Sequence, residues 1–467
     1  MGSGGLEAVG LPFEVAIPIQ VHAVRVVAGV CDESVRVCEW DHDQRRADFA
    51  GRDPSLAESR HQRHGGLFIP VQTANNERQI GRPDRRGQIK IRVRDDVASL
   101  DGTADAVLVK SVQFINNPGV KVNTSLCALH PRNVFRTSRA ARHETTNVFL
   151  RVERHGIAGH GEAAASAYYG ENPEDIAGKL EAVTEIVDGC ALDSPADIAV
   201  IWEEAWAVLT PSRAAQCALD IALWDWLGKR TGRSVSELAF AEPARPVATF
   251  ATIGISEPEE LELKIAELDG FRRVKIKSDE TGDLRTALRV REAMPEASIA
   301  IDANCAWGGV DLTKLSGELA ELWIEFVEQP LPPGRDAEMK KLSPRLPIPV
   351  MADESCVTFE DVERLRGHFT GFNIKLVKCG GLTPALRMAR RGRELGLRTM
   401  VGCMLESSLL IAAGAVVAQI TDYADLDGAW LLADDPVRGW TFERGALFPT
   451  ERPGLGVLPP ACFASGS

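Results

Sequence analysis

The sequence predicts an α/β fold: a closed parallel barrel of the (β/α)8 type, preceded by a smaller α+β region. Three observations predict it. Eight short β-rich segments follow one another between residues 247 and 427, with starts about 22 to 26 residues apart. A strand, a helix and two short turns need about that length. Most gaps carry a helix-like stretch, such as 284–293 or 384–395. The segments are apolar runs around residues such as Ile301, Phe326 and Val350 rather than alternating ones, as strands covered on both faces require. An open doubly wound sheet competes for the same pattern.

In order, the strands are expected at 247–255, 273–277, 298–301, 323–327, 349–352, 372–376, 399–402 and 424–427. Ahead of them, residues 119–245 read as extended segments (120–129 and 147–153) followed by helices. The last helix spans 212–227, with Ser212 as its N-cap, Gly228 as its stop, and Ala215, Ala218, Ile221, Ala222 and Trp224 near helical spacing. The barrel then occupies 246–433, and 434–467 form a terminal segment. Residues 1–118 differ in character: arginine and histidine are frequent, and Lys90 and Lys110 are the only lysines. Strand-like runs at 88–93 and 106–112 show no clear period. This stretch reads as an accessory domain, a poorly ordered extension, or sequence upstream of the true start, with the last two preferred.

The whole chain of 467 residues is ample for a large core; 45% hydrophobic and 25% charged content are ordinary for a globular protein. A formal charge of −13 argues against nucleic-acid or anionic-membrane partners. The longest apolar stretch, 409–420, is too short to span a bilayer, and the amino terminus lacks a signal-peptide pattern. Ten cysteines without CxxC pairs or regular spacing read as free thiols, so the expected compartment is cytoplasmic.

In such barrels the carboxyl ends of the strands face the active site, and polar residues recur at that phase here. Lys275 and Lys277 end the second segment, Asp302 the third, Glu328 the fourth, Asp353 the fifth, Lys375 the sixth, and Asp425 with Asp427 the eighth. From Lys277 to Lys375 the steps are 25, 26, 25 and 22 residues, which predicts equal height on neighbouring strands. Asp302, Glu328 and Asp353 make a hard, all-oxygen ligand set suited to Mg²⁺ and not to zinc. Taken singly, each acid also reads as a strand-end cap or half of an ion pair.

Lys277 and Lys375, four strands apart in a ring of eight, would flank that ion and reach a small-molecule substrate from both faces. Lys275, a cationic neighbour, and the metal are expected to favour a neutral lysine that accepts a proton. The alternative is that each lysine forms a structural salt bridge with a nearby acid. Lys378, three positions past Lys375, is expected on the far side of the strand. Proton abstraction beside a carboxylate suits this set: Mg²⁺ stabilises the enediolate, one lysine takes the proton, and the other returns it.

The motifs are Val274-Lys275-Ile276-Lys277, Ile301-Asp302-Ala303-Asn304, Glu325-Phe326-Val327-Glu328-Gln329-Pro330, Ala352-Asp353-Glu354-Ser355, and Asn373-Ile374-Lys375 leading to Gly380-Gly381. Together they resemble the enolase superfamily, in its muconate-lactonising subgroup, whose sites combine a lysine base with Mg²⁺. The resemblance covers about three quarters of the chain. It implies a modified (β/α)7β barrel with 119–245 as an α+β capping domain, completed by the terminal segment, and frequent assembly into homo-oligomers. It also implies that loops around 136–138 and 165–171 close over the substrate.

Ala424-Asp425-Leu426-Asp427-Gly428 is similar to the Asp-x-Asp motif of dipeptide epimerases such as the L-Ala-D/L-Glu epimerases. By that resemblance Asp425 and Asp427 hold the free ammonium of a dipeptide; two in-phase carboxylates one residue apart make a socket for a cation. The bland reading of Asp-x-Asp is a turn or cap. Phe135-Arg136-Thr137 resembles the loop at the substrate's far end, where Arg136 would pair with an acidic side chain. Cys403-Met404-Leu405-Glu406-Ser407 also resembles these enzymes, and no role follows for Glu406. The resemblance implies inversion of the C-terminal α-carbon of a dipeptide. N-acylamino acid racemase, o-succinylbenzoate synthase and muconate cycloisomerase activities remain the alternatives within the subgroup, and a non-catalytic metal scaffold or Schiff-base lysine chemistry those outside it. Gly380-Gly381, without a downstream lysine or serine, reads as a strand-to-helix turn rather than a phosphate cradle.

Overall fold

The structure, a computed structural model, describes residues 119–464 apart from 139, 140 and 283, and six strands between residues 13 and 93. Those six strands, from Phe13–Ile19 to Ile91–Val93, pair antiparallel in sequence order. The expected run at 106–112 and most of 1–118 lie outside the described residues.

From Lys121 onward the chain builds a three-stranded antiparallel sheet, then helices, then the barrel. The sheet places Thr145–Arg154 between Lys121–Leu129 and Ile157–Ala164. Helix α1, Arg213–Thr231, lies against the edge strand Ile157–Ala164, and every residue from Ala214 to Gly228 is buried. A helix that is apolar nearly all round must be covered on several sides. It starts where expected, with Ser212 Oγ accepting from the Ala215 amide. It does not stop at Gly228. The helix runs to Thr231 and ends on Gly232, which takes the left-handed conformation (φ 67°) common just past helix ends. Gly228 is glycine for space: a Cβ there would lie 2.6 Å from the Gly454 Cα.

Eight parallel strands then form one sheet in sequence order: Ala251–Ile253, Arg273–Lys277, Ser298–Asp302, Ile324–Glu328, Val350–Ala352, Gly371–Lys375, Arg398–Gly402 and Tyr423–Asp425. The Phe250 amide donates to the Ala424 carbonyl at 2.9 Å and brings the first strand to the eighth. Helical segments fill the seven gaps between strands, so the architecture is the (β/α)7β form. The first strand is shorter than expected, because Val247–Ala248 pairs with Ala446–Phe448 of the terminal segment.

Inside the ring, Phe250, Ala300, Phe326, Met351 and Met400 form an apolar layer, with the Phe250 and Phe326 rings edge-on at 5.7 Å. Below it Tyr423 donates to Glu325 at 2.6 Å and accepts from Arg398 at 2.8 Å. The filled layers make this a core and not a pore.

The expectation of equal height holds for Lys277, Asp302 and Glu328, which are register partners in turn. It fails at the next strand, where Glu328 pairs with Met351 and leaves Asp353 two residues higher. Strands of a closed barrel tilt, so register climbs around the ring, and spacing in sequence does not measure height. No helix among the described residues is long and apolar enough to cross a membrane.

The strand Ile157–Ala164 touches α1 through its glycines, and a Cβ on Gly161 would collide with the Ala218 carbonyl. Gly161→Ala is therefore expected to cost at least about 2 kcal/mol through overpacking. Chemical denaturation of the variant against the wild type measures it.

Candidate active site

Above the apolar layer the strand ends carry buried carboxylates, among them Asp302, Glu328, Asp353, Asp425 and Asp427, and the ammonium groups of Lys275, Lys277, Lys375 and Lys378. Lys275 and Lys277 both point inward because they are two apart on one strand. Lys275 Nζ lies 2.6 Å from Glu328 Oε2, 2.8 Å from Asp425 Oδ2 and 3.1 Å from Asp302 Oδ2. Lys277 Nζ lies 2.6 Å from the same Asp302 oxygen. Across the ring, Lys375 Nζ approaches Asp353 Oδ2 at 2.9 Å.

Burial alone disfavours every one of these charges, and the pairing decides which survive. For Asp302, burial opposes ionisation, but Lys275 and Lys277 prevail and hold the acid well below the usual carboxylate range. Asp353 is held low in the same way by Lys375 and Lys378. Glu328, pressed by burial and by Asp302, is pushed up to about 7. Burial works against the Lys275 and Lys375 ammonium ions too, yet the surrounding acids outweigh it and hold both above the ordinary lysine value. The dominant neighbours of Lys275 and Lys375 are thus carboxylates rather than another cation.

Lys378 corrects an expectation. It lies on a one-turn helix, Leu376–Cys379, rather than on a continuing strand, so its side chain turns back into the site. There it donates to Asp353 Oδ1 and to the Asp353 carbonyl, both at 2.5 Å. Two further residues escaped the sequence reading. Asn373 Nδ2 donates to Glu328 Oε1 at 2.8 Å, and Gln329 Oε1 accepts from the amides of Asp353 and Ser355. Asn373 was findable, since it sits two positions before Lys375 and so shares its face of the strand. Gln329 was not, because its reach depends on a left-handed backbone (φ 37°).

Among the described residues no three carboxylate, imidazole or thiolate groups already stand at ligand spacing around one point. Asp302 and Glu328 instead converge on the Lys275 ammonium. Their chemistry still suits a hard divalent cation: the donors are oxygens, they are buried, and Glu328 Oε2 receives no well-directed hydrogen bond despite its 2.6 Å ion pair.

A cavity of about 310 Å³ opens over this cluster. Lys275, Lys277, Asp353, Lys375, Asp425 and Asp427 form its floor, and Thr137, Arg142 and Tyr168 are among the residues of the α+β region that roof it. Tyr169 stands beside Asp353 and Lys375, and burial followed by the Asp353 charge holds its phenol well above the usual value. Arg136 is not brought to the cavity. The short strand Phe135–Arg136 alternates its faces, so Phe135 and Thr137 line the cavity while Arg136 turns away to Glu260 at 3.1 Å. Asp425 and Asp427 both face the cavity but are not equivalent. Asp425 gives one oxygen to Lys275 and keeps Oδ1 buried without a hydrogen bond. Asp427 accepts from the Thr252 amide at 2.6 Å, and burial with the neighbouring Asp425 pushes it up to about 7.

Glu406 acquires a place if not a catalytic one. It is buried beside Glu162 of the three-stranded sheet, whose carboxylate accepts from Asn147 and Ser407. Burial first and Glu162 second push Glu406 up to about 8, from an ordinary value near 4.5. The folded chain thus holds this proton more tightly than the unfolded chain does. Its contribution to stability is full below about pH 4.5, declines as pH rises, and is lost above about pH 8. Glu406→Gln is expected to flatten that decline and to raise the melting temperature at pH 8 relative to wild type. Thermal unfolding between pH 5 and 8.5 checks it.

Two family models match the chain: the Mandelate racemase / muconate lactonizing enzyme N-terminal domain over residues 119–239, and the Enolase C-terminal domain-like family over residues 260–460. The chain is 36% identical over 326 residues to the L-Ala-D/L-amino acid epimerase of Flavobacterium johnsoniae, covering 70% of this chain and 96% of that one. It is similar to an enolase family member of Agrobacterium tumefaciens with homology to dipeptide epimerases, solved with sodium and L-Ala-L-Glu bound. That likeness has a TM-score of 0.65 at 36% identity and covers 71% and 98% of the two chains. The dipeptide epimerase of Enterococcus faecalis, complexed with Mg and L-Leu-L-Tyr, gives a TM-score of 0.68 at 29% identity over 73% and 99%.

Proposed function

The chain belongs to the mandelate racemase/muconate lactonizing enzyme family of the enolase superfamily, and we propose that it is a dipeptide epimerase inverting the α-carbon of the C-terminal residue. The observation that carries this reading is one cavity floored by two amines from opposite sides of the ring and by the Asp425/Asp427 pair. The amines suit removal and return of a proton on opposite faces. The acids suit the ammonium that a dipeptide has and an N-acyl amino acid lacks.

Asp302, Glu328 and Asp353 would hold the Mg²⁺ ion. Such an ion supplies Lewis acidity toward the substrate carboxylate, lowering the cost of charge that develops when the α-proton leaves. Lys275 is shared by Asp302, Glu328 and Asp425 and thereby ties the floor together. Lys277 and Lys375 are the acid–base pair: whichever faces the α-hydrogen must be neutral to accept it, and the opposite one must carry the proton it returns. Each sits on a carboxylate, Lys277 on Asp302 and Lys375 on Asp353, so ligation of that carboxylate would weaken its pairing with the amine. Asp425 Oδ1 offers an unclaimed acceptor to the substrate ammonium, beside Asp427. The scattered free thiols of the described cysteines fit a reducing, cytoplasmic setting.

The test is deuterium uptake at the α-carbon in D₂O with Mg²⁺, over Ala-Glu-type dipeptides and their N-acyl amino acid counterparts. Dipeptides are expected to exchange and epimerise, and chelation of the metal to abolish both. Exchange confined to N-acyl amino acids would replace this reading with an N-acylamino acid racemase. Asp427→Asn is expected to lower kcat/KM for dipeptides by roughly 10- to 100-fold, the loss of one charge-assisted contact, with Mg²⁺ binding unchanged by calorimetry.

A further inference from the structure

The turn that follows Lys375 is held from outside the barrel. Lys375 is the last residue of the sixth strand; the one-turn helix Leu376–Cys379, Gly380 and Gly381 lead directly into helix α2, Leu382–Glu394. Helix α2 lacks a side-chain cap of its own, since its N-cap residue is Gly381. The cap comes from α1 instead. Asp220 Oδ2 accepts from the Thr383 amide at 2.9 Å, and Asp220 Oδ1 accepts from the Thr383 hydroxyl at 2.5 Å. A side-chain acceptor at that end of a helix is favourable.

The grip is close and multiple. Gly381 has φ 122°, and a Cβ on it would lie 2.5 Å from Asp220 Oδ2. Trp202 Nε1 donates to the Gly380 carbonyl at 2.6 Å, and Trp224 Nε1 donates to the Thr383 hydroxyl at 2.9 Å. Asp220 is fully buried and touches neither the cavity nor the metal-site acids. Lys277 is supported differently. The Ser278 amide after it bonds to the Asp302 carbonyl, and Ser278 Oγ receives Trp307 Nε1, both from the neighbouring barrel strand and loop.

We propose that Asp220 is a positioning residue for Lys375 rather than Lys277: by capping α2 it fixes the turn that follows Lys375 and brings Lys378 to Asp353, so one base of the pair is set by α1 and the other by the barrel. This rests on the two-lysine reading given above. A displacement of about 1 Å at a reacting group costs up to about a hundredfold in rate, so loosening this turn slows one face of the reaction selectively.

The test measures initial deuterium uptake separately from each C-terminal epimer of an Ala-Glu dipeptide. Lys375→Ala identifies the epimer whose uptake depends on Lys375. Asp220→Ala is expected to slow uptake from that epimer by about tenfold or more, with less than about a threefold change from the other and in either KM. Asp220→Asn, which keeps an acceptor at the helix end, is expected to recover most of the loss. Gly381→Ala, which drives a methyl group against Asp220, is expected to reproduce the one-sided loss should Asp220→Ala fail to fold. Equal slowing of both epimers, or none, overturns the proposal. A wild-type chain that exchanges neither epimer overturns the dipeptide reading itself and with it the role of Lys375.

Discussion

Burying a cluster of carboxylates at one end of a barrel is the constraint that organises this molecule. Each ion removed from water costs several kcal/mol unless it is matched by opposite charge and directed hydrogen bonds. Four lysines come from two strands and one short helix to supply the match, and the acids left less well matched, Glu328 and Asp427, are the ones driven toward neutrality. The tilt of the strands makes the match possible. Asp353 climbs two residues above Met351, which places it beside Lys375 and Lys378 rather than in line with Glu328.

The same constraint reaches into the seam with the three-stranded sheet. Asn147 bridges Glu162 and the Leu405 carbonyl at 2.8 and 3.0 Å, and Ser407 binds Glu162 from the loop after the seventh barrel strand. Helix α1 meets the barrel through Asp220 in a similar manner. Both contacts are buried and polar, a class of interaction that fixes geometry more than it adds stability. The region that roofs the cavity is therefore keyed to the barrel at defined points rather than merely packed upon it.

Much of this was legible in the sequence, for identifiable reasons. Strand–helix spacing is a local property, so eight strands and the phase of Lys277, Asp302 and Glu328 could be read directly. Register across the ring is not local: the climb at Asp353 arises from closure. Gly380-Gly381 announced a turn after the sixth strand, but not that a helical turn would begin before them at Leu376 and carry Lys378 inward. Arg136 failed for a simpler reason. The residues on either side of it face the cavity, and alternation then sends it outward. The pairing of the lysines was not legible because sequence gives the neighbour two residues away but not the acids arriving from adjacent strands.

The apolar layer of Phe250, Phe326, Met351 and Met400 seals the barrel directly beneath Lys275 and Glu328, with the Tyr423, Glu325 and Arg398 bonds closing it further down. The amines therefore have packed apolar side chains beneath them. Among the described residues, Lys275, Lys277 and Lys375 face the roofed cavity above. On the two-lysine reading proposed above, the ratio of retained to solvent-derived hydrogen in the product would then report how long the mouth stays filled.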